Sequence, residues 1–207
     1  FAHVDTIFKR NEKGRIIEGD YSTPEFAYLK DNVWVFTEKV DGTNIRVMWD
    51  KACVKFGGKT DAAQIPSFLL ERLSELFPVR NFESLYPETP MCIYGEGYGA
   101  RIHRGGNYLT NGVDFVAFDI NVEGWWLGRG DIEDIASFLN FQVVPIIGQG
   151  TLSEALELAR GGFHSVWGSF LAEVIVLKPV VELKTRRGER IITKIKYRDF
   201  HWGNKEA

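Results

Sequence analysis

The spacing of apolar side chains predicts short strands over much of this chain and helices in three places. Residues 33–36 are β-rich, and Ile45, Val47 and Trp49 alternate with Arg46, Met48 and Asp50. That pattern predicts a strand, a tight glycine turn and a second strand, an opening hairpin with Lys39 at its joint. A further strand over 52–56 runs into Gly57-Gly58-Lys59-Thr60, a turn that carries a basic side chain. Ile65, Leu69, Leu70, Leu73, Leu76 and Phe77 recur at helical spacing until Pro78 breaks them. A short strand over 91–94 ends in Gly95-Glu96-Gly97-Tyr98-Gly99, and another covers 113–120. Trp125 and Trp126 restart a strand after the Glu123-Gly124 turn. Helices are expected over 131–139 and 151–160, the second opened by the capping box Thr151-x-x-Glu154 and closed by Gly161-Gly162. Residues 173–179 form a strand, and 181–185 with 191–197 form a hairpin across Arg186-Arg187-Gly188-Glu189. Residues 1–32 mix polar turns with short apolar pieces, and little chemistry can be read there.

Composition narrows the class. With 207 residues, 44% of them hydrophobic and 26% charged, the chain can bury one full core, and a single domain is expected. No apolar run reaches membrane-spanning length and no signal peptide is visible, so a cytoplasmic protein without membrane contact is expected. Cys53 and Cys92 lie in strand-like apolar contexts and read as reduced core residues, neither a disulfide framework nor a zinc site. The first residue is Phe1 rather than Met, which points to a trimmed start. A net charge of −3 excludes a generally basic nucleic-acid coat, so any such contact must come from local basic patches.

Against that background a few side chains carry chemistry. Lys39 lies between Glu38 and Asp41. It is either a plain surface lysine or a nucleophile whose amine is freed of its proton by burial or by neighbouring cations. Glu96, between glycines after a buried strand, is either part of a turn or an exposed carboxylate that a ligand approaches closely. Arg101, His103 and Arg104 make a basic loop beside it. Phe115 and Phe118 fall on opposite faces of a regular strand, one for the core and the other free to stack on a base. The strand over 173–179 has a carboxylate, Glu173, near one end and Lys178 near the other. Ile192, Lys194 and Lys196 share one face of the last strand, and two lysines so placed repel unless an anion or solvent separates them. Together these residues suit attack on a phosphorus centre, which needs cations around the phosphate oxygens, an in-line nucleophile and a divalent metal on oxygen ligands. The lysines would also favour the neutral amine of Lys39.

The order Glu38-Lys39-x-Asp41-Gly42-Thr43-Asn44, Gly95-Glu96-Gly97, Phe118-Asp119-Ile120, Glu173-x-x-Val176-Leu177-Lys178-Pro179 and Lys194-Ile195-Lys196 resembles the motif series of the covalent nucleotidyltransferases, the polynucleotide ligases and mRNA capping enzymes. The resemblance spans Glu38 to Lys196 and is closest to the RNA ligase 2-type enzymes. It implies an α+β fold of two mainly antiparallel sheets with flanking helices and the nucleotide in the cleft between them. It implies one nucleotidyltransferase domain over 1–207, lacking a C-terminal domain or relying on a partner protein for strand engagement, because only eleven residues follow Lys196. It implies an ATP-dependent RNA ligase that uses magnesium, or manganese in its place, and joins RNA or DNA ends bearing a 5′-phosphate and a 3′-hydroxyl. By that resemblance Lys39 carries AMP, with Asp41, Lys194 and Lys196 as its catalytic partners. Glu38 contacts the adenine edge, Phe118 stacks on the base and Glu96 holds the ribose. Asn44 and Arg46 lie near the phosphates, Lys178 neutralises phosphate charge, and Glu173 serves the metal. Two departures stand out: Val174 where the family usually has glycine, and the five-residue spacing of Glu173 and Lys178, which sends them to opposite faces unless the strand twists or bulges. An ATP-dependent DNA ligase core is the nearest enzyme alternative, a GTP-using capping enzyme a more distant one. A nucleic-acid-binding module with a degenerate site, binding more weakly in salt and forming no covalent AMP, is the alternative from another class.

Overall fold

A computed structural model describes residues 4–103 and 107–201; Arg104 of the expected basic loop lies outside them. The chain packs as two compact units, a central one over Val40–Val144 and a flanking one built from the segments on either side of it.

The flanking unit begins with β1 (Asp5–Thr6), β2 (Phe8–Arg10), β3 (Ile16–Tyr21), α1 (Pro24–Tyr28) and β4 (Trp34–Glu38). The central unit follows with β5 (Thr43–Trp49), β6 (Val54–Gly57), α2 (Ser67–Leu76), α3 (Val79–Leu85) and β7 (Met91–Gly99). It is completed by β8 (Val113–Val122), β9 (Trp125–Trp126), α4 (Arg129–Leu139) and β10 (Gln142–Val143). The chain then returns to the flanking unit for β11 (Ile146–Gly150), α5 (Leu152–Gly161), β12 (Val174–Pro179) and β13 (Thr193–Lys196).

The expected α+β class with two mainly antiparallel sheets is what forms. One sheet has the order β1-β13-β12-β4-β11, the other β10-β8-β7-β5-β6 with β9 on β8, and β2-β3 make a small ribbon. Only β1–β13 and β10–β8 run parallel among the described pairs. In the central unit Ile45, Val47 and Trp49 of β5 face Leu69 and Leu73 of α2, with Phe77, Phe115 and Ile120 completing the core. Pro78 ends α2 as expected and then serves as the N-cap of α3, a helix the apolar spacing did not announce. In the flanking unit Trp34 and Phe36 of β4, Ile175 and Leu177 of β12 and Ile195 of β13 pack on Leu152, Ala155 and Ala159 of α5. The capping box is present: Thr151 Oγ1 accepts the Glu154 N–H and the Glu154 carboxylate accepts the Thr151 N–H at 2.7 Å.

Two expectations are corrected. The opening hairpin does not form, because β4 pairs with β11 and β12 whereas β5 pairs with β6 and β7. Period-two alternation marks a strand without naming its partner, and each of these strands buries its apolar row in a different core. Gly42 is packed on β7 instead of making a two-strand turn: a Cβ there would lie 2.2 Å from the Gly97 carbonyl oxygen. The hairpin of 181–185 with 191–197 is also reduced to its tip. Thr185 N–H still bonds Glu189 O and Lys184 bridges Arg190, but β13 takes β12 and β1 as partners. Pro179 has no N–H to extend a ladder, and Val180 turns to bond Val33 O.

Candidate active site

Lys39 stands one residue past β4 and is solvent-exposed, yet its N–H still bonds Val174 O of β12 at 2.9 Å. The backbone that carries the amine is therefore tied into the sheet. Across the sheet, Val176 pairs with both Thr37 and Lys194, Val174 with Lys196, and Lys178 with Val35. Residues directly opposed in a sheet share a face, so the register places Lys178, Lys194 and Lys196 on one side. Ile191, Thr193 and Ile195 fill the other side and are buried, as the alternation predicted.

The electrostatics of this face follow from its composition. Burial holds the Lys194 amine below the usual lysine range, and the charges of Lys196 and Lys39 push it the same way. Lys196 is also held down, first by burial and then by Arg198, while Asp199 opposes. A face that disfavours its own protons is one that an anion stabilises.

Glu173 is exposed and lies just before β12, where its carbonyl accepts the Tyr197 N–H. β12 keeps a regular register without a bulge, but Glu173 is outside the strand, so alternation does not govern its side chain. Among the described residues no group of three or more His, Cys, Asp or Glu side chains gathers as a metal cage. An exposed carboxylate beside a lysine face does not make a protein-caged ion site. It does fit magnesium or manganese carried by a nucleotide's phosphates, which takes one or two protein carboxylates at most.

Glu38 is only 1% exposed. Val166 N–H donates to its Oε2 at 3.1 Å, and Oε1 is buried with no partner. Burial raises this carboxyl above its ordinary 4.5, and the bonds from Ser165 and Val166 only partly offset it. Between 4.5 and the raised value the unfolded chain has released this proton while the folded chain keeps it, so Glu38 lowers stability as pH rises across that window. Glu38→Gln is expected to remove that slope. In thermal unfolding from pH 4 to 7, the variant's midpoint should gain steadily on the parent's; a constant gap would refute the assignment.

The central unit presents a second set. Asn44, Glu96 and Val116 are directly opposed across β5, β7 and β8 and share a face. Glu96 is 7% exposed and sits inside β7, not on an exposed turn as its glycine neighbours suggested. Those glycines serve packing: a Cβ on Gly95 would lie 2.3 Å from the Phe115 ring, and one on Gly97 2.6 Å from Leu69. Asn44 Oδ1 is buried without a partner. Phe115 is in the core and Phe118 is half-buried outside it. The pairing jumps from Tyr94–Asp119 to Gly95–Ala117, so Phe118 is the extra residue of a bulge, a device that re-aims a side chain.

Arg46 donates from Nε to Gly58 O at 2.8 Å and pairs with Asp61 at 2.7 Å, which ties it to the 57–61 loop. Asp41 is half-buried, and Lys59 is exposed on that loop. Arg101 and His103 are exposed and both take positive φ. Ser165 and Val166 escaped sequence reasoning, since a serine in a loop after a helix carries no signal of its own. No helix among the described residues is long and apolar enough to cross a membrane.

The chain resembles known proteins in fold and family. Its structure is similar to that of a Naegleria gruberi RNA ligase variant without ligand, with a TM-score of 0.69 at 16% identity over 100% of this chain and 64% of that one. A lysine-to-alanine variant of that ligase with ATP and Mn gives 0.67 at 17% identity, covering 94% and 61%, and the ligase with PPi gives 0.67 at 18%, covering 95% and 61%. The chain thus spans less than two thirds of the length of these ligases. No curated protein sequence matches it. The RNA ligase family model, however, matches residues 32–196, from just before β4 to the last lysine of β13, and the chain belongs to the RNA ligase family.

Proposed function

We propose that this chain is the adenylyltransferase domain of an ATP-dependent RNA ligase, with Lys39 as the nucleophile. The observation that carries the reading is the lysine face of β12 and β13, where Lys194 is held below its usual range by burial, by Lys196 and by Lys39 itself. A triphosphate is the anion that such a face next to a nucleophilic amine suits best. The ATP, AMP, PPi and Mn complexes of the Naegleria gruberi enzyme support the same choice.

In the first step the Lys39 amine attacks the α-phosphorus. A P–N bond forms, the α–β bridging P–O bond breaks, pyrophosphate leaves, and the amine gives up its proton to solvent. Lys178, Lys194 and Lys196 offset the charge on the phosphate oxygens. Glu96, in its row with Asn44, accepts from the ribose hydroxyls, Phe118 stacks on adenine, and Glu38 Oε1 accepts from the base edge. Asn44 and Arg46 lie near the phosphates, and Asp41 is a catalytic partner of Lys39. Glu173 would hold a divalent ion that accompanies the triphosphate, and the ion would supply further charge neutralisation. In the second step an oxygen of an RNA 5′-phosphate attacks the lysine-bound phosphorus, the P–N bond breaks, and Lys39 regains a proton. In the third a 3′-hydroxyl attacks the 5′-phosphorus and AMP leaves. Engaging the strand ends falls to a further domain or a partner protein.

The test is incubation with α-labelled ATP and magnesium or manganese, followed by denaturing separation and mass mapping, beside Lys39→Ala. Label on Lys39 that the variant lacks is expected. An unlabelled parent whose Lys39 is free of AMP would overturn the reading in favour of a binding module.

A further inference from the structure

The segment that joins β12 to β13 carries cations of its own, on the strands that bear the lysine face. Its base is held firmly. Arg190 Nε and Nη2 donate to the two carboxylate oxygens of Glu182, the second at 2.7 Å. Ile191 N–H bonds Leu183 O at 2.9 Å, and both side chains pack into the core of the flanking unit. The tip is ordered as well. Thr185 N–H bonds Glu189 O at 2.8 Å, and Gly188, at φ 83°, turns its N–H back to Thr185 O at 2.9 Å. Thr185 Oγ1 accepts the N–H groups of Arg187 and Glu189. Lys184, Arg186 and Arg187 are exposed around this tip, and their side chains have no ion-pair partner among the described residues. Glu189 is the only acid between Lys184 and Arg190.

These cations are continuous with the lysine face. Lys184 is bridged to Arg190, so the two share a face. From Arg190 to Lys196 burial alternates without a break: Ile191, Thr193 and Ile195 are buried, whereas Arg190, Ile192, Lys194 and Lys196 are half-buried. Lys184, Arg190, Lys194 and Lys196 therefore line one side, and the stretch from Arg190 to Lys196 alone is about 20 Å on the rise of an extended strand. Arg186 and Arg187 prolong the stripe at the tip. One triphosphate fills only part of such a length. A repeating positive stripe on a chain of net charge −3 fits a polyanion with phosphates spaced along it. Guanidinium groups meet phosphate oxygens in pairs, and an ordered tip loses little freedom in doing so. We propose that the hairpin of residues 181–191 is a contact element for the sugar-phosphate backbone of RNA. Lys184, Arg186 and Arg187 hold phosphates of the strand body, away from the end that meets Lys39. The proposal rests on the RNA ligase reading and extends it from the strand end to the strand behind it.

The test is fluorescence anisotropy of a labelled, 5′-phosphorylated oligouridylate of about 24 nucleotides, long enough to span the stripe, titrated at several salt concentrations. The parent is compared with the triple variant Lys184→Gln, Arg186→Gln, Arg187→Gln. A second triple variant, Lys13→Gln, Lys51→Gln, Arg80→Gln, removes the same charge from exposed cations elsewhere. The hairpin variant should lose about tenfold in affinity, and its slope of log K against log salt should flatten by about 2, three single-strand phosphates at about 0.7 each. The other triple variant should lose little. Glu189→Gln should bind RNA more tightly, which a damaged hairpin would not do. Covalent labelling from α-labelled ATP should be the same in the hairpin variant as in the parent. Parental affinity and slope in the hairpin variant, or equal losses in the two triple variants, overturn the proposal. So does a parent that holds no RNA at low salt, or a hairpin variant that loses its label, since the cations would then serve the nucleotide. A parent that binds RNA through the hairpin but takes no label overturns the adenylyltransferase reading alone.

Discussion

Lys194→Met is expected to slow covalent labelling of Lys39 about a hundredfold or more while making the ligand-free protein harder to melt. The two effects have one cause. Lys194 sits on a half-buried strand face, its charge opposed by burial, by Lys196 and by Lys39. Without an anion that charge is a liability, and methionine keeps the buried stem while removing it. Replacing a poorly compensated buried charge by an apolar side chain gains about 1 kcal/mol or more, roughly 3 °C in midpoint for a chain of this size. In the proposed reaction the same charge would stabilise the phosphate oxygens of the transition state, and losing one such preorganised group costs about 10²–10³ in rate. The stability gain depends on pH with a definite sign. The folded protein releases the Lys194 proton below 10.5, so the parent becomes more stable as pH climbs from that lowered value toward 10.5, and the gap to the variant should close there. Single-turnover labelling and thermal unfolding from pH 7 to 10.5 check both arms. A variant that labels at the parent's rate would remove Lys194 from the chemistry.

Gly95→Ala is expected to be strongly destabilising, because the added methyl group has no room in the central unit. The new Cβ would lie 2.3 and 2.4 Å from two atoms of the Phe115 ring and 2.4 Å from the Val116 carbonyl oxygen. Phe115 has nowhere to go: it is 1% exposed and packs edge-on to Phe77 at 5.3 Å and to Phe141 at 6.5 Å between ring centroids. Overpacking of this kind costs about 3 kcal/mol or more, because β7 is held between β5 and β8 and cannot step back. Since Glu96 is the next residue, the shift should also weaken nucleotide use. Phe115→Leu removes the two ring contacts and leaves only the Val116 carbonyl, so the double variant should melt above the sum of the two single losses. Additive losses in urea or thermal unfolding would show that the ring is not what Gly95 accommodates.

Much of this was legible because half-buried strands alternate. Ile45, Val47 and Trp49, or Ile191 to Lys196, declare their faces in the sequence, and the structure keeps both. The helix α5 was equally legible, since its capping box is a local device. What escaped depends on distant partners. Nothing near Glu38 says that its strand belongs with β11 and β12, and the glycine-rich run around Glu96 looks like a turn until Phe115 and Leu69 are seen to need the space. The bulge at Phe118 appears only when β8 is counted against β7. The bond from Val166 N–H to Glu38 joins residues 128 positions apart, with no motif to announce it.

The insertion of one unit within the other also sets a schedule for synthesis. The central unit is continuous in sequence and can complete its sheet as soon as residue 144 has emerged. β4 leaves the ribosome earlier but must wait, since the Thr37 hydroxyl meets Val176 O across 139 positions of chain. Lys194 does not meet the charge of Lys39 until β12 and β13 have been made and paired. A nascent chain therefore holds Lys39 apart from the lysines of β12 and β13 for most of translation, and the lysine face is assembled only with the last strand.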